Sequence, residues 1–153
     1  MTAFFRRPPT GGMRCWIAML LTVVAQQAGA AQCSISVQGI NFGSYDIFAS
    51  QSVDSTGNIG VTCDTSTTYS ISLGPGGGSY ASRAMANGSH QLHYNLYTDA
   101  TRSVIWGDGA GGTGTVGGTW TANVNHTVYG SIPPGQNAYV GSYSDSITVT
   151  LTF

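Results

Sequence analysis

The side chains able to do chemistry are few, and their spacing excludes more than it offers. The three imidazoles are His90, His93 and His126. His90 and His93 lie three apart on an alternating stretch, so they face opposite sides and cannot chelate one ion together. A metal site is not expected. Every acidic residue is Asp. Asp99, Asp108 and Asp145 are the candidates for a carboxylate pair of the kind glycoside hydrolysis needs. Nothing in the sequence sets their separation, and Asp is frequent in turns. No Gly-x-Ser-x-Gly elbow and no phosphate-binding loop is present. Asp108-Gly-Ala-Gly-Gly112 resembles a calcium loop, but lacks the repeat that would make one. The complete lack of Lys rules out Lys–Asn isopeptide cross-links. Neither an enzyme nor a cofactor is expected. The remaining recognition chemistry is aromatic. Tyr80, Tyr97, Trp106, Trp120 and Tyr139 can stack on sugars where exposed, although most such rings belong to cores and strand faces. Trp106, Trp120 and Tyr97 are the candidate adhesive aromatics, for a glycan or an abiotic surface.

Charge is sparse, at 7 % of residues. All five basic residues are Arg, and Arg6, Arg7 and Arg14 precede the first apolar run. Beyond it only Arg83 and Arg102 stand against the six Asp. Two separated cations make no basic patch, so nucleic acid and anionic membrane surfaces are excluded as partners.

The N-terminus has the three parts of an export signal: the arginines, the apolar run Cys15–Val24, and Ala28-Gly29-Ala30 as a cleavage site before Ala31. The run is too short to span a bilayer, which takes about 20 residues, so no stable membrane insertion is expected. Met13 is an alternative start, because Met13–Ala30 is already a complete short signal. Arg14 and Gln32 are the wrong neighbours for lipidation of Cys15 or Cys33. The expected division is a signal peptide over residues 1–30 and one domain over 31–153. Removal of the signal leaves Cys33 and Cys63, and two cysteines in an exported domain predict one disulfide.

Elements that alternate must carry these groups. Ile147, Val149, Leu151 and Phe153 point one way along the closing segment, and Ser146, Thr148, Thr150 and Thr152 the other. That is the period of a strand with one buried and one wet face. Cys33–Gln38 places Ile35 and Val37 on the face of Cys33. Asn58–Cys63 places Ile59 and Val61 with Cys63, as a disulfide between the two strands requires. Thr68–Leu73 and Gln91–Thr98 alternate likewise, the latter with Leu92, Tyr94 and Leu96 on one side and His93, Asn95 and Tyr97 on the other. Val104–Trp106 reads as a short strand, Gly107–Gly118 as a glycine-rich surface loop, and Trp120–Ile132 as a longer strand region. Recurrent strands with turn signals between them predict an all-β antiparallel sandwich. The strand closing the chain is strongly apolar and has no successor, so it needs partners on its edges.

Landmarks recur in order along the mature chain: Cys33, Asn41-Phe-Gly-Ser-Tyr-Asp46, Val61-Thr-Cys63, Arg83-Ala-Met85, Leu92-His-Tyr-Asn-Leu-Tyr-Thr-Asp99, Trp106-Gly-Asp-Gly109, Tyr129-Gly-Ser-Ile-Pro133, Gln136 and Gly141-Ser-Tyr-Ser-Asp145. In these the chain resembles the spore coat protein U domain family, which includes pilin subunits of archaic chaperone–usher pili. The resemblance implies an incomplete immunoglobulin-like sandwich whose final strand is supplied first by a periplasmic chaperone and then by a neighbouring subunit, with Ile147, Val149, Leu151 and Phe153 as the edge that accepts it. It also implies an outer-membrane usher and other pilin subunits as partners, passage through the periplasm to the cell surface, and a structural role in fibres for adhesion and biofilm formation. One departure stands out. Cleavage before Ala31 leaves only Ala31 and Gln32 ahead of Cys33, short of the roughly ten residues of a sheet-spanning donor strand. A terminal or tip subunit is therefore expected rather than a repeating shaft subunit. The alternative is a stand-alone secreted carbohydrate-binding or coat protein with a closed sandwich.

Overall fold

The computed structural model describes residues 30–120 and 123–153. Residues 1–29, and with them nearly all of the expected signal peptide, lie outside the described residues. Eight strands follow in order: β1 (Cys33–Gln38), β2 (Val53–Cys63), β3 (Thr67–Leu73), β4 (Arg83–Asn87), β5 (His90–Tyr97), β6 (Val116–Trp120), β7 (Val124–Ile132) and β8 (Val149–Thr152). Among the described residues there is no helix, and every strand pair is antiparallel. Two sheets form an immunoglobulin-like sandwich, one in the order β1-β2-β7-β5-β4 and the other β6-β3-β8.

Alternation decides which residues meet between the sheets. Ile59, Val61 and Cys63 of β2, Tyr69, Ile71 and Leu73 of β3, Leu92, Tyr94 and Leu96 of β5, and Val128 and Ile132 of β7 form the core. β1 pairs with β2 in the register Cys33↔Cys63, Ile35↔Val61 and Val37↔Ile59. Two cysteines directly opposite each other on neighbouring strands are within bonding reach, and the Cys33–Cys63 disulfide is formed, closing a separation of 30 residues.

The strands depart from the sequence reading in several places. Val104–Trp106 makes only isolated bridges, from Ile105 and Trp106, and in the Trp120–Ile132 region β6 ends at Trp120 and β7 begins at Val124. β2 begins at Val53 rather than Asn58, because β7 pairs with its first half, from Val53↔Ile132 to Gly57↔Val128. Arg83–Asn87, which carries no alternation of its own, becomes β4 through a tight hairpin with β5 at Asn87↔His90. Gly117 and Gly118, expected in the loop, sit inside β6. There the strand passes so close to β3 that a Cβ at Gly117 would overlap the Tyr69 carbonyl. The closing strand is shorter than its alternation. Val149 and Leu151 pair with Leu73 and Ile71 of β3, but Ser144 bridges instead to Ala86 of β4, in the other sheet. The last segment thus crosses from one sheet to the other.

Candidate functional site

The sandwich is open along one side. β8 is an edge strand: β3 pairs with one of its edges, and no described residue pairs with the other. β1 is the edge of the facing sheet. Ile35 and Val37 point inward beside Val61 and Ile59, yet they remain 38 % and 54 % exposed while both neighbours are 1 % exposed. Their inward side lacks a cover. Across the gap Ile147, Val149 and Leu151 are half-buried, and Phe153 is 56 % exposed.

Between these walls lies a cavity of about 320 Å³, lined by Val37, Gly39, Ile40 and Phe42 on one side and by Tyr143, Asp145, Ile147 and Val149 on the other. Its floor is the core itself, through Ile59, Leu73, Met85, Tyr94, Leu96 and Val128. Ile40, Phe42, Met85 and Tyr143 also line a second compartment of about 650 Å³ that runs on toward Phe48 and Val140. The first compartment is an apolar groove between β1 and the closing segment, and the second, which Asn41, Ser44, Asp46 and Ser142 also line, is more polar.

Three polar groups fix its walls. Asp145 accepts hydrogen bonds from the Gly77 amide (3.0 Å), the Ser146 amide (2.7 Å) and the Tyr94 hydroxyl (2.8 Å). It thereby ties the lead-in of β8 to the turn after β3 and to β5. Burial, with the Asp145 carboxylate alongside, pushes the Tyr94 phenol above its ordinary value. At the opening's far end Tyr45 donates to the Pro133 carbonyl and accepts from the Gln136 amide. Gln136 exchanges two hydrogen bonds with the His93 backbone.

Behind the groove Arg83 is 0 % exposed. Its guanidinium donates to the Gly74 carbonyl (3.1 and 2.9 Å), the Asn95 side-chain oxygen (2.6 Å) and the Trp106 carbonyl (2.7 Å). All are neutral acceptors. Burial lowers the guanidinium's pKa, but such a group remains protonated. Asn95, assigned from sequence to the wet face of β5, is buried because it carries this contact.

The candidate adhesive aromatics do not form one platform. Trp106 is a correction: it is 0 % exposed, its indole N–H donates to the Ile71 carbonyl at 3.0 Å, and it packs in the core. A ring held there cannot touch a surface ligand. Trp120, 47 % exposed, ends β6 in the small sheet, whereas Tyr97, half-buried, ends β5 in the large one. Tyr80 lies over Arg83, and Tyr139 stacks on His90 with ring centroids 4.5 Å apart.

The three carboxylates are not gathered either. Asp99 accepts from the Thr101 hydroxyl and the Ser103 and Val104 amides of its own loop, which hold its pKa well below the usual carboxylate range. Asp108 accepts from the Ala110 amide, the leading cause of its own lowered pKa. A general acid needs the opposite shift. Among the described residues no group of three or more His, Cys, Asp or Glu side chains comes together.

The Spore Coat Protein U domain model matches residues 19–150. The chain belongs to the Spore Coat Protein U domain family. Protein U of Myxococcus xanthus, a relative, is 36 % identical over 149 residues, a match covering 87 % of this chain and 83 % of that protein. Among solved structures, the crystal structure of the CsuC–CsuE chaperone–tip adhesion subunit pre-assembly complex, from archaic chaperone-usher Csu pili of Acinetobacter baumannii, is similar in fold. It matches with TM-score 0.56 and 24 % identity over 80 % of this spore coat U chain. The match spans 40 % of that solved chain. Of the four residues that the sequence singles out on the closing strand, Ile147 and Val149 line this cavity. The sequence places Ile35 and Val37 on the inner face of β1, but only their exposure reveals that no described residue covers them.

Proposed function

We propose that the chain is an exported structural subunit of a chaperone–usher type surface pilus, and that its groove accepts a strand from another chain. One observation carries this reading: the uncovered inner face of β1 stands across an apolar groove from the unpaired edge of β8. A strand laid along β8 gains main-chain hydrogen bonds there and fills the groove with alternate side chains. It covers Ile35, Val37 and Phe153, each contributing on the order of 1 kcal/mol for the apolar area removed from water. Left empty, the same edge is an aggregation hazard. A periplasmic chaperone supplies the strand in transit and a neighbouring subunit replaces it at the outer-membrane usher. The family membership and the fold shared with a pilus subunit support these partners. So does the Cys33–Cys63 disulfide, which suits an oxidising compartment. Of the finer role, the terminal position rests on cleavage before Ala31, and adhesion and biofilm formation rest on the family.

The test is export of Ala31–Phe153 to a bacterial periplasm with and without a chaperone of the archaic chaperone–usher type, followed by size exclusion and thermal melting. Loss or aggregation alone, with rescue as a one-to-one complex, is expected. Val37→Asp with Leu151→Asp places charge on both walls and should abolish the rescue. A stable monomer that melts cooperatively without help overturns strand acceptance and returns the chain to the stand-alone reading. N-terminal sequencing of the exported protein tests the terminal role: a mature start well ahead of Ala25 would supply a donor segment and remove it.

A further inference from the structure

We infer that the strand accepted by the groove carries one basic side chain among its apolar ones, placed to face Asp145. This rests on the strand acceptance proposed above. The inward-facing series of the closing segment is Tyr143, Asp145, Ile147, Val149, Leu151 and Phe153. The first five are half-buried, and the residues between them are exposed. One member is charged. Asp145 lines the same cavity as Ile147 and Val149, so a strand whose side chains pack on those two and which runs on past the start of β8 meets a carboxylate.

That carboxylate has room for a further donor. Its Oδ1 accepts the Gly77 and Ser146 amides, and its Oδ2 accepts only the Tyr94 hydroxyl. An ionised carboxylate offers about four acceptor sites. None of the three donors is a cation, and the chain has no cation to spare among the described residues. Arg83 is buried on Gly74, Asn95 and Trp106, and Arg102 pairs with Asp54 at 3.1 Å. The Arg83 charge is near enough to interact with Asp145, but its donors are taken by neutral acceptors, so a further donor to Asp145 is left to another chain. An apolar side chain at this step would cover a half-buried carboxylate and offer it no donor. An acidic one would add repulsion. The groove thus selects its strand by charge at one position and by apolar bulk at the others.

The experiment uses synthetic strands of alternating Val, Ile and Leu that differ only at the position facing Asp145: Lys, norleucine or Glu. Each is added to the one-to-one chaperone complex, and binding is read as exchange of the chaperone for the strand, by fluorescence titration and native mass spectrometry. The Lys strand is expected to bind roughly fivefold tighter than the norleucine strand, and the Glu strand most weakly. Asp145→Asn should level the three. Should that variant fail to fold, salt provides the second reading on the unaltered chain: raising ionic strength must erode the Lys preference while leaving norleucine binding unchanged. Equal binding of Lys and norleucine strands, or a Lys preference insensitive to salt, overturns the role of Asp145 and leaves strand acceptance standing. Failure of every strand to bind overturns both.

Discussion

Arg83→Met tests the buried guanidinium behind the groove. The side chain is 0 % exposed and donates no hydrogen bond to a carboxylate, Asp145 acting on it only through space, so two effects oppose each other. Removing a buried cation relieves its desolvation, and replacing buried charges by apolar groups of similar volume is often neutral or stabilising. The acceptors left behind decide the balance. Met keeps the aliphatic stem but strips the donors from the Gly74 and Trp106 carbonyls, while the Asn95 oxygen retains only the Leu96 amide. Two orphaned carbonyls cost about 1–3 kcal/mol each. With part of that offset by the relieved desolvation, the expected net loss is about 3 kcal/mol. That is a large share of the 5–15 kcal/mol typical of a domain. Arg83→Lys keeps the charge but not the fork, so one ammonium must serve acceptors on three segments. It should recover less than half of the loss. The assay is urea denaturation of the disulfide-bonded chain held in its one-to-one chaperone complex, as for the other stability readings below, followed by tryptophan fluorescence, to which the buried Trp106 contributes. If Arg83→Met is as stable as the parent, the hydrogen bonds do no more than offset the burial of the charge. If Arg83→Lys matches the parent, geometry is irrelevant, and the account given for this network is wrong.

Three further outcomes are expected. Reducing the Cys33–Cys63 disulfide, or replacing both residues by Ser, should lower stability by roughly 3–4 kcal/mol through the separation of 30 residues it closes; the shift in urea midpoint measures it. Burial lowers the His126 pKa from 6.5, with the ring hydrogen-bonded to Tyr69 at 2.8 Å. The fold therefore favours the neutral imidazole. That contribution is complete above 6.5, is lost as pH falls through the lower folded value, and should vanish from the pH profile of His126→Gln. Gly117→Val should destabilise by about 2 kcal/mol or more, because the added Cβ meets the Tyr69 carbonyl and the Ser70 Cα of β3. A thermal melt matching the parent would show that β6 is free to move away.

Much of the fold was legible because alternation is a local property. Ile59, Val61 and Cys63, Tyr69, Ile71 and Leu73, and Leu92, Tyr94 and Leu96 declare their inner faces within a few residues, and the structure buries all nine. The two cysteines left by an expected signal had one pairing open to them, and it is the one formed. β4 was not legible, since Arg83-Ala-Met-Ala-Asn87 shows no alternation and becomes a strand through β5 and the bridge to Ser144. Trp106 was misplaced for a related reason. An indole looks the same in sequence whether it covers a ligand or a core, and what decides is the Ile71 carbonyl and the Arg83 network that close around it.

The sequence by itself determined that the chain is an all-β sandwich with a disulfide, little charge and an apolar closing strand, because composition and period-2 alternation act between neighbouring residues. Only the tertiary structure decided where that strand goes, that β1 stands uncovered across from it, and that Asp145 shares the groove between them. Those are relations between segments far apart in the chain, and an empty place beside a strand exists only once every other strand has taken its own.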